Sequence, residues 1–169
     1  LCEGNVQEVM DLSPVAHLAA LSGKVPFINF FDGFRTSHEI QKIAVWDYKD
    51  LADMCDMDAV KAFREHALNP EHPAMRGSHE NGDTFFQHRE ACNQYYDALP
   101  EVVEKYMGKI NEKLGTDYKL FNYYGAPDAD RVIIAMGSIC DVAEEVIDYL
   151  NAHGEKVGLI KVRLYRPFK

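Results

Sequence analysis

The sequence predicts an α/β fold in which two stretches of mixed helix and strand signals are separated by a segment rich in turns. Three observations support this prediction. Helix and strand patterns alternate over the first third of the chain, turn-forming residues crowd residues 69–100, and residues 131–164 have a strand–helix–strand pattern. With 169 residues, 47% of them hydrophobic, the chain can bury the core of one domain or parts of two.

The first third contains one predicted helix followed by one predicted strand. Ser13 as N-cap and Pro14 in the first turn indicate a helix start, and Gly23 is placed to end that helix. Residues 25–31, VPFINFF, have the composition of a buried strand, and Asp-Gly at 32–33 ends it. Polar groups that follow the carboxyl end of a strand are often functional in α/β folds.

A broken helix is predicted between Asp47 and Leu68. Apolar residues recur there at helical spacing, and the pattern is interrupted near Asp56. The helix must end before Pro70, because a residue that precedes proline disfavours helical backbone.

The segment that follows changes character. Asn69-Pro70, His72-Pro73, Arg76-Gly77-Ser78 and Asn81-Gly82-Asp83 are turn signals in close succession, so residues 69–100 are predicted to extend over a surface. Helices are then predicted over residues 88–99 and 100–114, and Gly115 ends the second. The apolar face of that second helix contains Val102, Val103, Tyr106, Met107 and Ile110. The pairs Tyr95-Tyr96 and Tyr123-Tyr124, together with Phe121, predict aromatic packing beneath the connecting segment.

The last segment predicts a strand over residues 131–136, a helix over 141–152 and a strand over 157–164. A crossover of this kind joins parallel strands. The helix is predicted to bury Val142, Val146, Ile147 and Leu150. Since one such unit cannot cover both faces of a sheet, a chain that starts at Leu1 and ends at Lys169 is expected to be part of a longer protein.

Composition excludes several classes of function. A net charge of −9 argues against a nucleic-acid partner, and the apolar runs are far shorter than the roughly 20 residues that cross a bilayer. The cysteines are scattered and form no Cys-x-x-Cys pair, so neither a zinc ribbon nor an iron–sulfur motif is present. They are Cys2, Cys55, Cys92 and Cys140. Reduced thiols in a cytoplasm fit this pattern.

The densest polar cluster follows the first predicted strand. It contains Asp32, Arg35, Ser37, His38 and Glu39. A carboxylate–histidine pair could serve in acid–base chemistry, or the turn could bind a ligand. The structural alternative, which we favour, is a helix entry capped by Thr36 or Ser37, with Glu39 near the positive end of the helix.

Two further motifs have functional and structural interpretations. His88 and Cys92 are four apart on a predicted helix, but a zinc site would need further ligands, and only His72 and His79 are at loose spacing. A zinc hydrolase that uses His38, His88 and Cys92 is therefore a minor alternative. The Gly-Ser turn at 137–138 could cradle a phosphate at a helix start, but a tight strand-to-helix connection is the favoured interpretation.

Three stretches together resemble the pyruvate:ferredoxin (or flavodoxin) oxidoreductase family. They are VQEVMDL at residues 6–12, PFINFFDGFRTSHEIQKI at 26–43 and YKLFNYYGAPDADRVIIAMGS at 118–138. The pairs Asn69-Pro70, His72-Pro73 and Arg76-Gly77, then Phe86-Gln87 and Arg89-Glu90-Ala91, resemble the family in the same order, whereas residues 78–83 depart from its pattern.

The resemblance implies how the chain is divided. Residues 1–68 would be the end of a domain similar to the pyrimidine-binding domain of thiamine-dependent enzymes. Residues 69–125 would connect it to the next domain. Residues 126–169 would be the first strand–helix–strand unit of a domain similar to the carboxyl-terminal domain of transketolase.

The resemblance also implies a chemistry, the oxidative decarboxylation of pyruvate to acetyl-CoA and carbon dioxide. The full enzyme would use thiamine pyrophosphate, magnesium and [4Fe-4S] clusters, and would pass electrons to ferredoxin or flavodoxin as a cytoplasmic homo-oligomer of anaerobic metabolism. No catalytic, cofactor-binding or metal-binding residue of the family maps onto this chain. Asp32, Arg35, His38 and Glu39 are therefore expected to form supporting or domain-interface structure. The chain alone is expected to be inactive, and a non-catalytic interaction module is the alternative.

Overall fold

The computed structural model describes residues 1–75, 77 and 79–169, and it confirms the α/β class. Seven helices and three strands lie within the described residues. They are α1 Val6–Gly23, α2 Arg35–His38, α3 Tyr48–Met54, α4 Met57–Glu65, α5 Gly82–Ala91, α6 Asn93–Leu114, β1 Phe121–Gly125, β2 Arg131–Ala135, α7 Ile139–Ala152 and β3 Val157–Val162. Arg76 and Ser78 of the predicted Arg-Gly-Ser turn lie outside the described residues.

Helix α1 begins eight residues before the predicted Pro14 start, so that boundary was wrong. The Asn5 side chain caps the helix by accepting the Glu8 backbone N–H at 2.9 Å, and the Glu8 carboxylate accepts the Gly4 N–H at 2.8 Å. Pro14 lies within the helix. Lys24, and not Gly23, adopts the left-handed conformation at the C-terminal end, with φ of 56°.

Residues 25–31 do not form the predicted strand. Phe30 makes one isolated parallel bridge with Cys2, in which the Phe30 N–H donates to the Leu1 carbonyl oxygen at 3.0 Å. The apolar composition was sufficient for a strand, but a strand needs a neighbour along its length, and among the described residues only residues 1–3 pair with this segment.

The broken helix between residues 47 and 68 is confirmed as α3 and α4, and Asp56 caps α4 by accepting the Ala59 N–H at 3.0 Å. The next boundary was wrong. The break falls at Cys92, and Pro100 lies inside α6 instead of starting a helix. Leu99, Pro100 and Val103 are all buried, and this burial stabilises the continuous form of the helix. Gly115 ends α6 as predicted, with φ of 71°.

The larger apolar core lies where α1 packs on α6. Four of the five residues predicted for the apolar face of α6 are fully buried there, and Val102 is partly buried against the same core. Gly23 permits the close approach of the two helices, because a Cβ atom at that position would lie 2.5 Å from Leu99 Cδ1. Leu120 and Leu164, from the ends of the sheet region, complete this core.

The three strands form one mixed sheet in the order β1-β3-β2. Strand β2 is parallel to β3, as the crossover predicted, with Ile133 opposite Leu159. Strand β1 is antiparallel to β3, with Tyr124 opposite the same Leu159. The aromatic residues of β1 were predicted only to pack under the connecting segment, and no strand was predicted there.

Helix α7 covers the sheet and encloses a second, smaller apolar core. Its buried members are Cys140, Ile147, Val157 and Leu159, with Leu150 partly buried against them. Two residues predicted to be buried, Val142 and Val146, are 43% and 48% exposed. Their predicted burial was wrong because only one face of α7, the face that contains Ile147, packs against the sheet. No described helix is long and apolar enough to span a bilayer.

Candidate domain-junction site

The Asp32 carboxylate anchors the turn that leads into α2. Its Oδ2 accepts the backbone N–H groups of Arg35 at 3.0 Å and Thr36 at 2.9 Å, and its Oδ1 accepts the Thr36 hydroxyl at 2.7 Å. The Thr36 N–H and then the Ser138 hydroxyl are the main causes that hold the pKa of Asp32 well below its usual range. Asp32 is therefore an ionised helix cap.

The capping residue differs from the predicted one. Thr36 and Ser37 lie inside α2, and Glu39 follows its last residue, far from the positive end. The helix-entry interpretation holds, but Asp32 supplies the cap because its side chain can reach two free N–H groups of the first turn.

The other predicted site residues face outward. Arg35, His38 and Glu39 are exposed, and the His38 Nδ1 atom lies 2.7 Å from the Ser37 hydroxyl oxygen. Within the described part of the chain, Asp32 and His38 share no hydrogen bond. The geometry gives no support to a carboxylate–histidine acid–base pair.

Two turns lie close together here, one after residues 25–31 and one after β2, since the Ser138 hydroxyl contributes to the lowered pKa of Asp32. Gly4 lies against the second turn, and a Cβ atom there would be 3.1 Å from the Gly137 carbonyl oxygen. The Asn5 amide also donates to the Asp141 carboxylate of α7 at 3.3 Å. Because a carboxylate of the chain already faces Ser138, this arrangement favours the tight connection over a phosphate cradle.

A buried polar network that was not predicted from the sequence joins α1 to the residues that flank the sheet. The Arg163 guanidinium donates to the Glu8 carboxylate at 2.6 Å and also to the Asn122 side-chain oxygen. The Tyr118 hydroxyl donates to Asp11 at 2.8 Å, and the Gln7 amide donates to the other Asp11 oxygen at 2.9 Å. Charged residues inside apolar stretches were the available signal, but their partners are more than 100 residues away.

Burial governs the titration of this network. It raises the pKa of Asp11 despite the hydrogen bonds from Tyr118 and Gln7. Burial, followed by the hydrogen bond to Asp11, raises the pKa of Tyr118, so its hydroxyl remains a donor.

Glu3 is a buried acid with a different environment. Its side chain is 0% exposed, and neither carboxylate oxygen accepts a hydrogen bond from the described residues. Burial raises its pKa to about 8, and the nearby amino terminus and Asn29 only moderate the shift. Burial likewise raises the pKa of the Cys2 thiol to about 11 and raises that of Cys140.

The residues considered for metal binding do not form a ligand set. His88 Nδ1 lies 2.5 Å from Glu80 Oε1, and the Cys92 thiol donates to the His88 carbonyl oxygen at 3.3 Å. Across residues 1–75, 77 and 79–169, no three or more His, Cys, Asp and Glu side chains are grouped as metal ligands would be.

An apolar groove of about 650 Å³ lies between α1 and the segment that leads into α3. Its walls include Val9, Met10 and Leu18 of α1, with Ile43 and Trp46 opposite. The groove has few polar atoms with which to orient a substrate, so it resembles a packing surface more than a reaction site.

Two family models of known oxidoreductases match separate parts of the chain. The family model described as "Pyruvate flavodoxin/ferredoxin oxidoreductase, thiamine diP-bdg" matches residues 1–108, and "Pyruvate:ferredoxin oxidoreductase core domain II" matches residues 129–169. The first match alone covers more than half of the chain. The chain belongs to the pyruvate flavodoxin/ferredoxin oxidoreductase family.

The chain is also similar to individual proteins of known name. The chain is 64% identical over 168 residues to a pyruvate-flavodoxin oxidoreductase of Enterobacter agglomerans and 59% identical over 168 residues to the pyruvate:ferredoxin oxidoreductase of Moorella thermoacetica. Each match covers 99% of this chain and 14% of the relative. It is also 49% identical over 164 residues, 96% of the chain and 8% of the relative, to a pyruvate dehydrogenase [NADP(+)] of Cryptosporidium parvum.

Proposed function

We propose that this chain is part of an enzyme that oxidatively decarboxylates pyruvate to acetyl-CoA and carbon dioxide and passes the electrons to ferredoxin or flavodoxin. The observation that supports this most is the 64% identity to a pyruvate-flavodoxin oxidoreductase across 99% of the chain. No feature of the described residues favours the non-catalytic module. A homo-oligomer in the cytoplasm of an anaerobically growing cell belongs to the same proposal.

The cofactors of this reaction do not fit the residues described here. Binding thiamine diphosphate would require ligands for magnesium and donors for the phosphates, and iron–sulfur clusters require grouped thiolates. The turn at Gly137 and Ser138 lies near the Asp32 carboxylate, and burial raises the pKa of the thiols of Cys2 and Cys140. We therefore assign thiamine pyrophosphate, magnesium and [4Fe-4S] clusters to other parts of the full protein, and derive no step through them.

The part that this chain plays in the enzyme is structural. Asp32 holds the turn in place, while Arg35, His38 and Glu39 remain exposed beside Phe34 and Ile40, which are 88% and 101% exposed. An exposed aromatic and aliphatic pair among charged groups is typical of a contact surface. These residues would support the thiamine-binding domain or contact a neighbouring domain of the full protein.

The experiment is a chimera. The corresponding 168-residue segment of the Moorella thermoacetica enzyme would be replaced by the segment from this chain, and pyruvate- and CoA-dependent reduction of methyl viologen would be measured. We expect the chimera to retain turnover and the chain alone to have none. Turnover by the chain alone would refute the structural role, and a chimera that contains its thiamine and iron yet reduces no viologen would refute the assignment to this enzyme.

A further inference from the structure

Four side chains form a closed set that joins α1 to residues that flank the sheet, one before β1 and one directly after β3. Glu8 and Asp11 are three residues apart and therefore lie on the same side of α1. Arg163 donates to Glu8 at 2.6 Å, and Tyr118 donates to Asp11 at 2.8 Å. The set is closed because the Arg163 guanidinium lies 5.2 Å from the centroid of the Tyr118 ring.

Water has little access to these groups. The side chains of Arg163 and Glu8 are only 6% and 12% exposed, and Asp11 is 1% exposed. In such surroundings each charge depends on its partner, because an unpaired buried charge costs far more than an exposed one. Loss of any member is therefore expected to disturb the other three.

The apolar contacts between α1 and the sheet region are less directional than the ion pair and the hydroxyl–carboxylate hydrogen bond. The sheet core around Ile147 and Leu159 is separate from the core that α1 shares with α6, and Leu120 and Leu164 extend from the sheet region into the latter. Apolar burial constrains orientation weakly, whereas an ion pair and a hydroxyl–carboxylate bond require defined distances and angles. The region matched as core domain II therefore meets the thiamine-binding region through the Glu8–Arg163 ion pair, which fixes geometry, as well as through the buried side chain of Leu164.

We propose that Glu8, Asp11, Tyr118 and Arg163 act together as an orientation clamp, which holds residues 129–169 on α1 in a single arrangement. The clamp depends on the geometry of this chain, and it stands whether or not the enzymatic assignment is correct.

The test is hydrogen–deuterium exchange of the 169-residue chain and its Arg163→Met variant. We expect residues 6–12 and 118–125 to exchange about tenfold faster or more in the variant, while residues 146–150 of α7 keep their protection. Lys161→Met is the matched control. Lys161 lies on β3, two residues before Arg163, and its ion pair with Glu144, at 2.5 Å, lies wholly within residues 129–169.

Three further variants, Tyr118→Phe, Glu8→Gln and the combined Glu8→Gln/Arg163→Met, separate a clamp from general stabilisation. Tyr118→Phe removes only the hydroxyl that Asp11 accepts, so it should also speed exchange over residues 6–12 even if Arg163→Met does not fold. The combined Glu8→Gln/Arg163→Met variant should lose no more protection than Glu8→Gln alone, since it leaves no unpaired guanidinium. The clamp is refuted if Arg163→Met and Tyr118→Phe exchange like Lys161→Met, or if α7 loses as much protection as α1. It is also refuted if the loss of protection in the combined variant equals the sum of the losses in Glu8→Gln and Arg163→Met.

Discussion

At the scale of single residues, the buried acid Glu3 makes stability depend on pH. Its side chain has no hydrogen-bond donor among the described residues, and its pKa rises from the ordinary 4.5 to about 8. Below pH 4.5 the carboxyl is protonated in both the folded and the unfolded chain. As the pH rises further, the unfolded chain releases this proton while the folded chain retains it, so the free energy of unfolding falls until about pH 8.

We predict that Glu3→Gln removes this loss. The variant should match the parent chain near pH 5 and exceed its stability at pH 8.5 by several kcal/mol, since each pKa unit corresponds to about 1.4 kcal/mol. Urea unfolding at the two pH values measures the difference. Glu39→Gln is the control, because Glu39 is exposed. Equal pH dependence in the Glu3 variant and the parent would contradict the prediction.

At the scale of elements, two long helices contain an internal proline, and in α1 the missing hydrogen bond is replaced from outside. Pro14 has no N–H to donate to the Met10 carbonyl oxygen, one turn earlier. The Trp46 indole N–H donates to that oxygen instead, at 3.2 Å. This contact ties the segment before α3 to the middle of α1 and forms one wall of the apolar groove.

We predict that Trp46→Phe lowers the free energy of unfolding by about 1–3 kcal/mol, because the Met10 carbonyl oxygen then loses its partner. The change should be measured by circular dichroism in urea, since Trp46 is the only tryptophan of the chain and its fluorescence is lost with it. Tyr48→Phe is the control, as Tyr48 is 89% exposed. If both variants unfold at the same urea concentration, the indole bond does not support α1.

At the scale of the whole molecule, burial is unevenly distributed. The core residues come from α1, α6, α7, the sheet region and a few positions near the N-terminus such as Leu1 and Val25, whereas no described residue between 37 and 98 is buried. Helices α3, α4 and α5 therefore depend on local hydrogen bonds and on partial contacts with the rest of the chain. This agrees with the predicted surface segment, while the predicted boundaries at residues 68 and 125 stay a prediction.

We predict that amides in α4 and α5 exchange with solvent at least about tenfold faster than those of α6 around Val103 and Tyr106, because local opening needs little loss of apolar burial. Exchange mass spectrometry of the 169-residue chain measures this. Equal protection in α4 and α6 would mean that the segment is held by contacts that the structure does not contain.

The sequence by itself determined what depends on near neighbours along the chain. Helical spacing with a break near Asp56 predicted α3 and α4, and the apolar face of α6 followed from its spacing. The alternation of signals after residue 130 predicted the parallel pair β2 and β3. The Asp32 turn was also recognised as a helix entry, although its capping residue was not.

Only the tertiary structure decided what depends on distant partners. Pro14 is tolerated inside α1, where Trp46 supplies the missing donor, and β1 is a strand because β3 lies beside it. Residues 25–31 do not form a strand, because among the described residues only residues 1–3 pair with them and no strand lies along their length. The pairing of Glu8 with Arg163 joins residues 155 positions apart. Hydrogen bonds and ion pairs depend on distance and angle in space, and local sequence patterns do not contain that information.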